Sequence, residues 1–132
     1  MKEALRGLAQ VMRQELELIP ETMRQEEVTR QVLTCLLGQA LRQMGLIAVP
    51  SWKPPRSTRD RIDLVGVRPD THPPEVAVAF AVQPLVELAQ VRALEWVECP
   101  DKVFITFSPR ADKVKQSTFF LGAGSIHLNL YD

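Results

Sequence analysis

The stretch EVAVAFAVQP, Glu75 to Pro84, decides how the rest of the chain is read. Its apolar residues run unbroken from Val76 to Val82, and a glutamine and a proline follow. A short apolar run bounded by turn residues reads as a strand, and one that is apolar on both sides reads as a strand covered on both faces. Such a strand lies inside a sheet with helices packed above and below. The flanking sequence has to supply those helices and the neighbouring strands.

Upstream, Leu5, Leu8, Met12, Leu16 and Ile19 recur at three- and four-residue steps, which predicts a helix with one apolar stripe ending at Pro20. A second helix restarts at Glu21 or Thr22, with Thr22 and Gln25 spaced as a capping box, and runs to about Met44, where Gly45 stops it. Its apolar positions, Val28, Val32, Leu33, Leu36, Leu37, Ala40, Leu41 and Met44, form a wide face suited to packing on a sheet. Leu46 to Trp52 reads as a first strand, and the proline-rich KPPRSTRDR that follows is a loop. Ile62 to Val67 is a second strand, RPDTHPP a turn, and the opening stretch the third strand.

Downstream, Pro84 opens a helix to about Val97 in which Leu85, Leu88, Val91, Leu94 and Ala93 face inward. Lys102 to Phe107 is a fourth strand. A shorter helix follows, capped by Ser108 or Asp112, and Gly122 and Gly124 make a turn. SIHLNLY then alternates with Ile126, Leu128 and Leu130 on one face, as a half-exposed edge strand does. The fold class is α/β, with a mixed central sheet flanked by helices in the order ααβββαβαβ. Three consecutive strands imply an antiparallel meander, and the strand–helix–strand units imply parallel neighbours.

The chain has 132 residues, the size of one domain, and 45% of them are hydrophobic, enough for a core and too many for disorder. Sixteen basic and sixteen acidic residues cancel, so any nucleic-acid or membrane binding has to come from a local patch. The N-terminal stretch has charges spread through it and lacks the apolar block of a signal peptide, and no apolar run is long enough to span a bilayer. Cys35 and Cys99 are isolated, which predicts reduced, mostly buried thiols in a cytoplasmic protein, with neither a disulfide framework nor a zinc site. His72 and His127 have no second ligand at metal spacing. Met12, Met23 and Met44 suit core packing, and LGAGS follows a helix and leads into a strand, the wrong order for a phosphate-cradling loop.

This order of elements, with an aspartate at the start of the second strand, resembles the PD-(D/E)xK nuclease superfamily, the restriction-endonuclease-like fold, and among its members small Holliday-junction-resolvase-like domains. The similarity spans Glu26 to Phe107. It implies one domain over residues 1–132: an additional N-terminal helix over 1–20, a nuclease-like core over 21–107, and a C-terminal helix and edge strand over 108–132. In that family a helix acid, the strand aspartate and a Glu-x-Lys pair on the third strand make the catalytic site. Glu27, or Glu26, resembles the helix acid, and Asp63 in RIDLVGV resembles the aspartate. The Glu-x-Lys slots fall on Ala79 and Ala81, and shifting the register by one or two residues gives Phe80 and Val82 or Ala81 and Gln83. No register supplies an acid or a lysine.

A metal-dependent nuclease needs several hard oxygen ligands to hold a magnesium ion, and charge near the attacking water. Asp63 is at most one such ligand. Glu27, Asp63 and Gln83 therefore read as vestiges of a catalytic site, no cofactor is expected, and magnesium or manganese enters only in an alternative reading. That alternative is an active nuclease whose missing ligands come from Glu75, Gln83, Asp60 or a second subunit. The first expectation is a domain without catalytic activity that binds a nucleic acid or a protein partner; a purely structural protein is a third reading.

For nucleic acid the candidates are Lys53, Arg56, Arg59 and Arg61 with Trp52 beside them, cations for phosphate and an aromatic ring for a base. The alternative for this loop is a solvated segment whose arginines pair with Asp60, Asp63 or nearby glutamates. The first helix and the edge strand are the two candidate surfaces for a homodimer.

Overall fold

The computed structural model describes residues 2–55 and 60–131. It is an α/β protein with one five-stranded mixed sheet and four helices. The sheet consists of β1 (Ile47–Trp52), β2 (Ile62–Val67), β3 (Val76–Gln83), β4 (Asp101–Thr106) and β5 (Ile126–Asn129), and their order in space is their order in the chain. β1, β2 and β3 pair antiparallel, while β3–β4 and β4–β5 pair parallel. The helices are α1 (Lys2–Leu18), α2 (Glu26–Gln43), α3 (Leu88–Glu95) and α4 (Ala111–Ser117), with a 3-10 turn after α1 and another after α4.

β3 is central, and its alternation divides the core in two. Val78, Phe80 and Val82 face a cluster built with Leu5, Met12 and Leu16 of α1 and Leu33, Leu37 and Leu41 of α2. Ala79 and Ala81 face the other cluster, with Val91, Ala93 and Leu94 of α3. A strand between two helical layers has no wet side, so every residue from Ala77 to Gln83 is buried. Phe80, fully buried, contributes about 1.5–3 kcal/mol by burial of its ring. Gly66 lets α2 lie close on the sheet: a Cβ there would meet Val78 at 2.9 Å and Leu41 and Leu46 at 3.2 Å.

The two sheet edges differ. β1 carries Pro50 and ends near Ser51, whose φ of 50° is unusual for a residue with a side chain. Both features blunt an edge. β5 is the other edge, and Ile126 and Leu128 pack on the α1–α2 cluster as its alternation predicts. The Arg13 side chain donates to the Leu130 carbonyl and ties α1 to the end of β5.

Several local expectations need correction. The capping box at Thr22 and Gln25 does not form: Glu21–Met23 is a 3-10 turn, and α2 starts after Gln25 without a side-chain cap. Pro84 does not open α3, which begins four residues later after Glu87, because residues 84–87 turn the chain from the end of β3 to the second face. Leu88 is consequently exposed instead of facing inward. Met23 and Met44 lie at the surface, and only Met12 of the three packs in the core. Both cysteines are free thiols, but Cys35 is exposed, since α2 turns that position away from the sheet. Among the described residues, no helix is long and apolar enough to cross a membrane.

Candidate functional site

At the carboxyl end of β3 the starts of α2, β2 and α3 meet. β2 and β3 pair as far as Leu64 and Phe80. Beyond that point side chains replace the ladder. One carboxylate oxygen of Asp63 accepts the Val82 N–H at 2.7 Å and the Gln83 side-chain amide at 3.0 Å. Arg30, one turn into α2, donates from Nε to the Val82 carbonyl at 3.0 Å and from Nη2 to Gln83 Oε1 at 2.8 Å. The same guanidinium reaches Glu27 at 2.5 Å and Glu26 at 2.8 Å, and Glu27 also accepts from Gln31 at 3.1 Å. Four oxygens thus converge on one cation that the chain itself supplies.

The electrostatics follow from burial. Removal from water pushes the Asp63 carboxyl above its ordinary value. The Val82 N–H, the Gln83 amide and the Arg30 charge oppose that rise, and Glu27 adds to it. Glu87, the residue before α3, is also raised, first by burial and then by Glu26 and Asp63, with Arg30 opposing. Its response places Glu87 in the field of the same cluster. A raised carboxyl is what proton-transfer chemistry uses, but ion-pair networks raise and lower carboxyls equally well.

The structure therefore brings together Glu26, Glu27, Asp63 and Gln83. It does so through Arg30, which sequence reasoning missed. The signal was the Glu26–Arg30 and Glu27–Arg30 spacing, which on a helix places the charges side by side. That spacing is common on solvated helix faces, and nothing in it says that the guanidinium turns inward under β3. Asp63 meets β3 at Val82 and Gln83, while Ala79 pairs with Val65 of β2 and packs against α3.

Two proposed ligand sources and the aromatic candidate are displaced. Glu75 precedes β3, at the strand end opposite Gln83, roughly 25 Å away at an extended rise per residue. It lies near Arg68 and cannot complete a site at Asp63. Asp60 is half-buried and engaged in an interaction of its own. Among the described residues, no three side chains of metal-ligating type are grouped to hold an ion. Trp52 is not a free ring on the basic loop: it ends β1 and packs half-buried against the α3 cluster. Lys53 is exposed, and Arg61, also exposed, donates to the Ser51 carbonyl at 2.9 Å. Arg56 and Arg59 lie outside the described residues.

Two further polar contacts were not legible in the sequence. Gln90 of α3 donates to the Arg61 carbonyl at 3.0 Å and pins α3 to the start of β2. His127 shares a hydrogen bond of 2.9 Å with the buried Thr106 hydroxyl, next to Asn129 on β5.

No family model matches this chain, and neither the curated proteins nor the solved structures return a match.

Proposed function

We propose that this chain is a nuclease-like domain without hydrolytic activity, acting as a binding module for a nucleic acid or a protein partner. One observation carries the reading: Arg30 sits among Glu26, Glu27, Gln83 and the Val82 carbonyl. In the PD-(D/E)xK family the corresponding acids hold a divalent ion, and a lysine stands beside it. Here Asp63 is bonded to Val82 and Gln83, and a permanent guanidinium sits between the two glutamates and offsets one of their two charges. An arginine does not activate water by coordination, and its hydrogen bonds engage the carboxylate oxygens that a magnesium ion would need. The element order and the mixed sheet support the likeness to the family.

The test is incubation of the full chain with branched, single-stranded and double-stranded DNA in manganese, with Asp63→Ala as control. No cleavage is expected from either protein. Cleavage that the substitution abolishes would refute the proposal. NMR of Asp63 during magnesium or manganese titration is expected to show no specific, saturating response. For the nucleic-acid branch, binding should weaken with salt, and Lys53→Ala with Arg61→Ala should flatten that dependence. Absence of binding at low salt would favour a structural role in which the fold serves only for packing.

A further inference from the structure

The sequence has two tryptophans, and both line one cleft of about 510 Å³ on the α3 side of the sheet. Trp52 comes from the end of β1, and Trp96 from the position just after α3. Trp96 is 52% exposed, an unusual position for the residue type with the most apolar surface to bury. Tryptophan at a surface concavity is enriched at recognition sites because one rigid ring supplies a large contact area.

Among the described residues that line the cleft, Glu75 and Glu98 stand against one cation, Arg68, so the lining carries a net charge of one negative on a chain that is neutral overall. Arg68 approaches Glu75 only to 3.9 Å, and both side chains are at least half exposed, at 50% and 65%. A pair that long and that wet is worth little and exchanges readily for another partner. The walls themselves are firm. The Arg68 N–H donates to the Glu75 carbonyl at 2.9 Å across the β2–β3 turn, and buried Val97 anchors the segment between Trp96 and Glu98.

We propose that this cleft binds a basic side chain, arginine or lysine, presented by a peptide segment of a partner protein. Indole faces attract cations, tryptophan most strongly, and a guanidinium can also stack flat on them. Glu98 and Glu75 complement the incoming charge, while the same carboxylates repel a phosphate backbone. The inference goes beyond the reading of the Asp63 cluster and does not rest on it, because none of the residues of that cluster lines the cleft.

The experiment is calorimetric and fluorescence titration of the full chain with a short capped peptide of alternating glycine and arginine. The comparison ligands are the same peptide with glutamate in place of arginine, and oligothymidylate. Saturable binding of the arginine peptide with a change in tryptophan emission is expected, and binding of neither comparison ligand at the cleft. Trp96→Ala should weaken binding about fivefold or more. Glu98→Gln should weaken it about two- to fivefold, and Glu3→Gln, an exposed control on α1, should leave it unchanged. The glutamine variant keeps the test decisive if Trp96→Ala fails to fold. No saturable binding of the arginine peptide, equal binding of the glutamate peptide, oligothymidylate binding that Trp96→Ala abolishes, or an affinity indifferent to Glu98→Gln would each overturn the proposal.

Discussion

At the carboxyl end of β3, Glu26, Glu27 and Gln83 gather around a guanidinium supplied by α2. Toward its amino end, Glu75 and Glu98 line a cleft together with two indoles, and Arg68 of the same lining approaches Glu75 at 3.9 Å. Neighbouring segments bring carboxylates to both places, yet one is closed by a side chain of the chain itself and the other stays open. The difference lies in where the cation is rooted. Arg30 stands on a long helix packed on the sheet, one turn from both glutamates, so the geometry of α2 delivers its charge to the cluster. Arg68 follows β2 at a solvent-exposed turn and has no such constraint. An acidic group becomes a site for a ligand only when no tethered counter-charge already fills it.

The largest break in this comparison is Arg30→Ala. It strands the Val82 carbonyl and Gln83 Oε1, which are partly or fully buried, and removes the charge that opposes the rise of Asp63. The expected loss is about 2–3 kcal/mol in urea unfolding. Glu26→Gln and Glu27→Gln should each cost less than about 1 kcal/mol, because those carboxylates are more than half exposed. If the glutamate variants cost as much as Arg30→Ala, the guanidinium is acting through the surface pairs and the buried contacts matter little.

Next in size is a pH effect. Burial raises Asp63 above its ordinary value of 3.8, so the native state holds that proton more tightly than the unfolded chain does. Stability linked to this group is therefore full below 3.8 and is lost as pH rises through the folded value. Asp63→Asn keeps an acceptor for Val82 and removes the titration. The stability of the parent chain relative to the variant should then fall as pH climbs from 3.8, by about 1.4 kcal/mol for each pH unit until the folded carboxyl has ionised. A difference that stays level or grows with pH contradicts the burial argument.

The smallest expected effect sharpens the other end. Glu98→Gln should change unfolding free energy by no more than about 0.5 kcal/mol, since an exposed carboxylate at an open cleft contributes to recognition more than to folding. A clearly larger loss would mean that Glu98 is locked into the fold as the Arg30 partners are.

Much of the architecture was legible because it is written in periodicity. The run Val76–Val82 predicts a strand between two layers, and Val78, Phe80 and Val82 do face one cluster while Ala79 and Ala81 face the other. The antiparallel meander and the parallel crossovers follow from loop lengths too short or long enough for a helix. Element starts were less legible. Thr22 with Gln25, and Pro84, are local signals, and the chain overrode both where it had to change direction between layers. Asp63 and Glu27 could be picked out as polar residues at informative positions, and the structure joins them only through Arg30 and Gln83.

The sequence by itself determined the α/β class, the central strand and the buried stripe of the first helix, because alternation and helical spacing are properties of consecutive residues. Tertiary structure alone decided that Arg30 turns under β3, that Trp52 and Trp96, more than forty positions apart, line one cleft, and that Glu75 lies far from Asp63. Those facts depend on which distant segments the sheet brings side by side. Hydrogen bonds and charges act over a few ångströms, and no pattern along the chain encodes such distances between its remote parts.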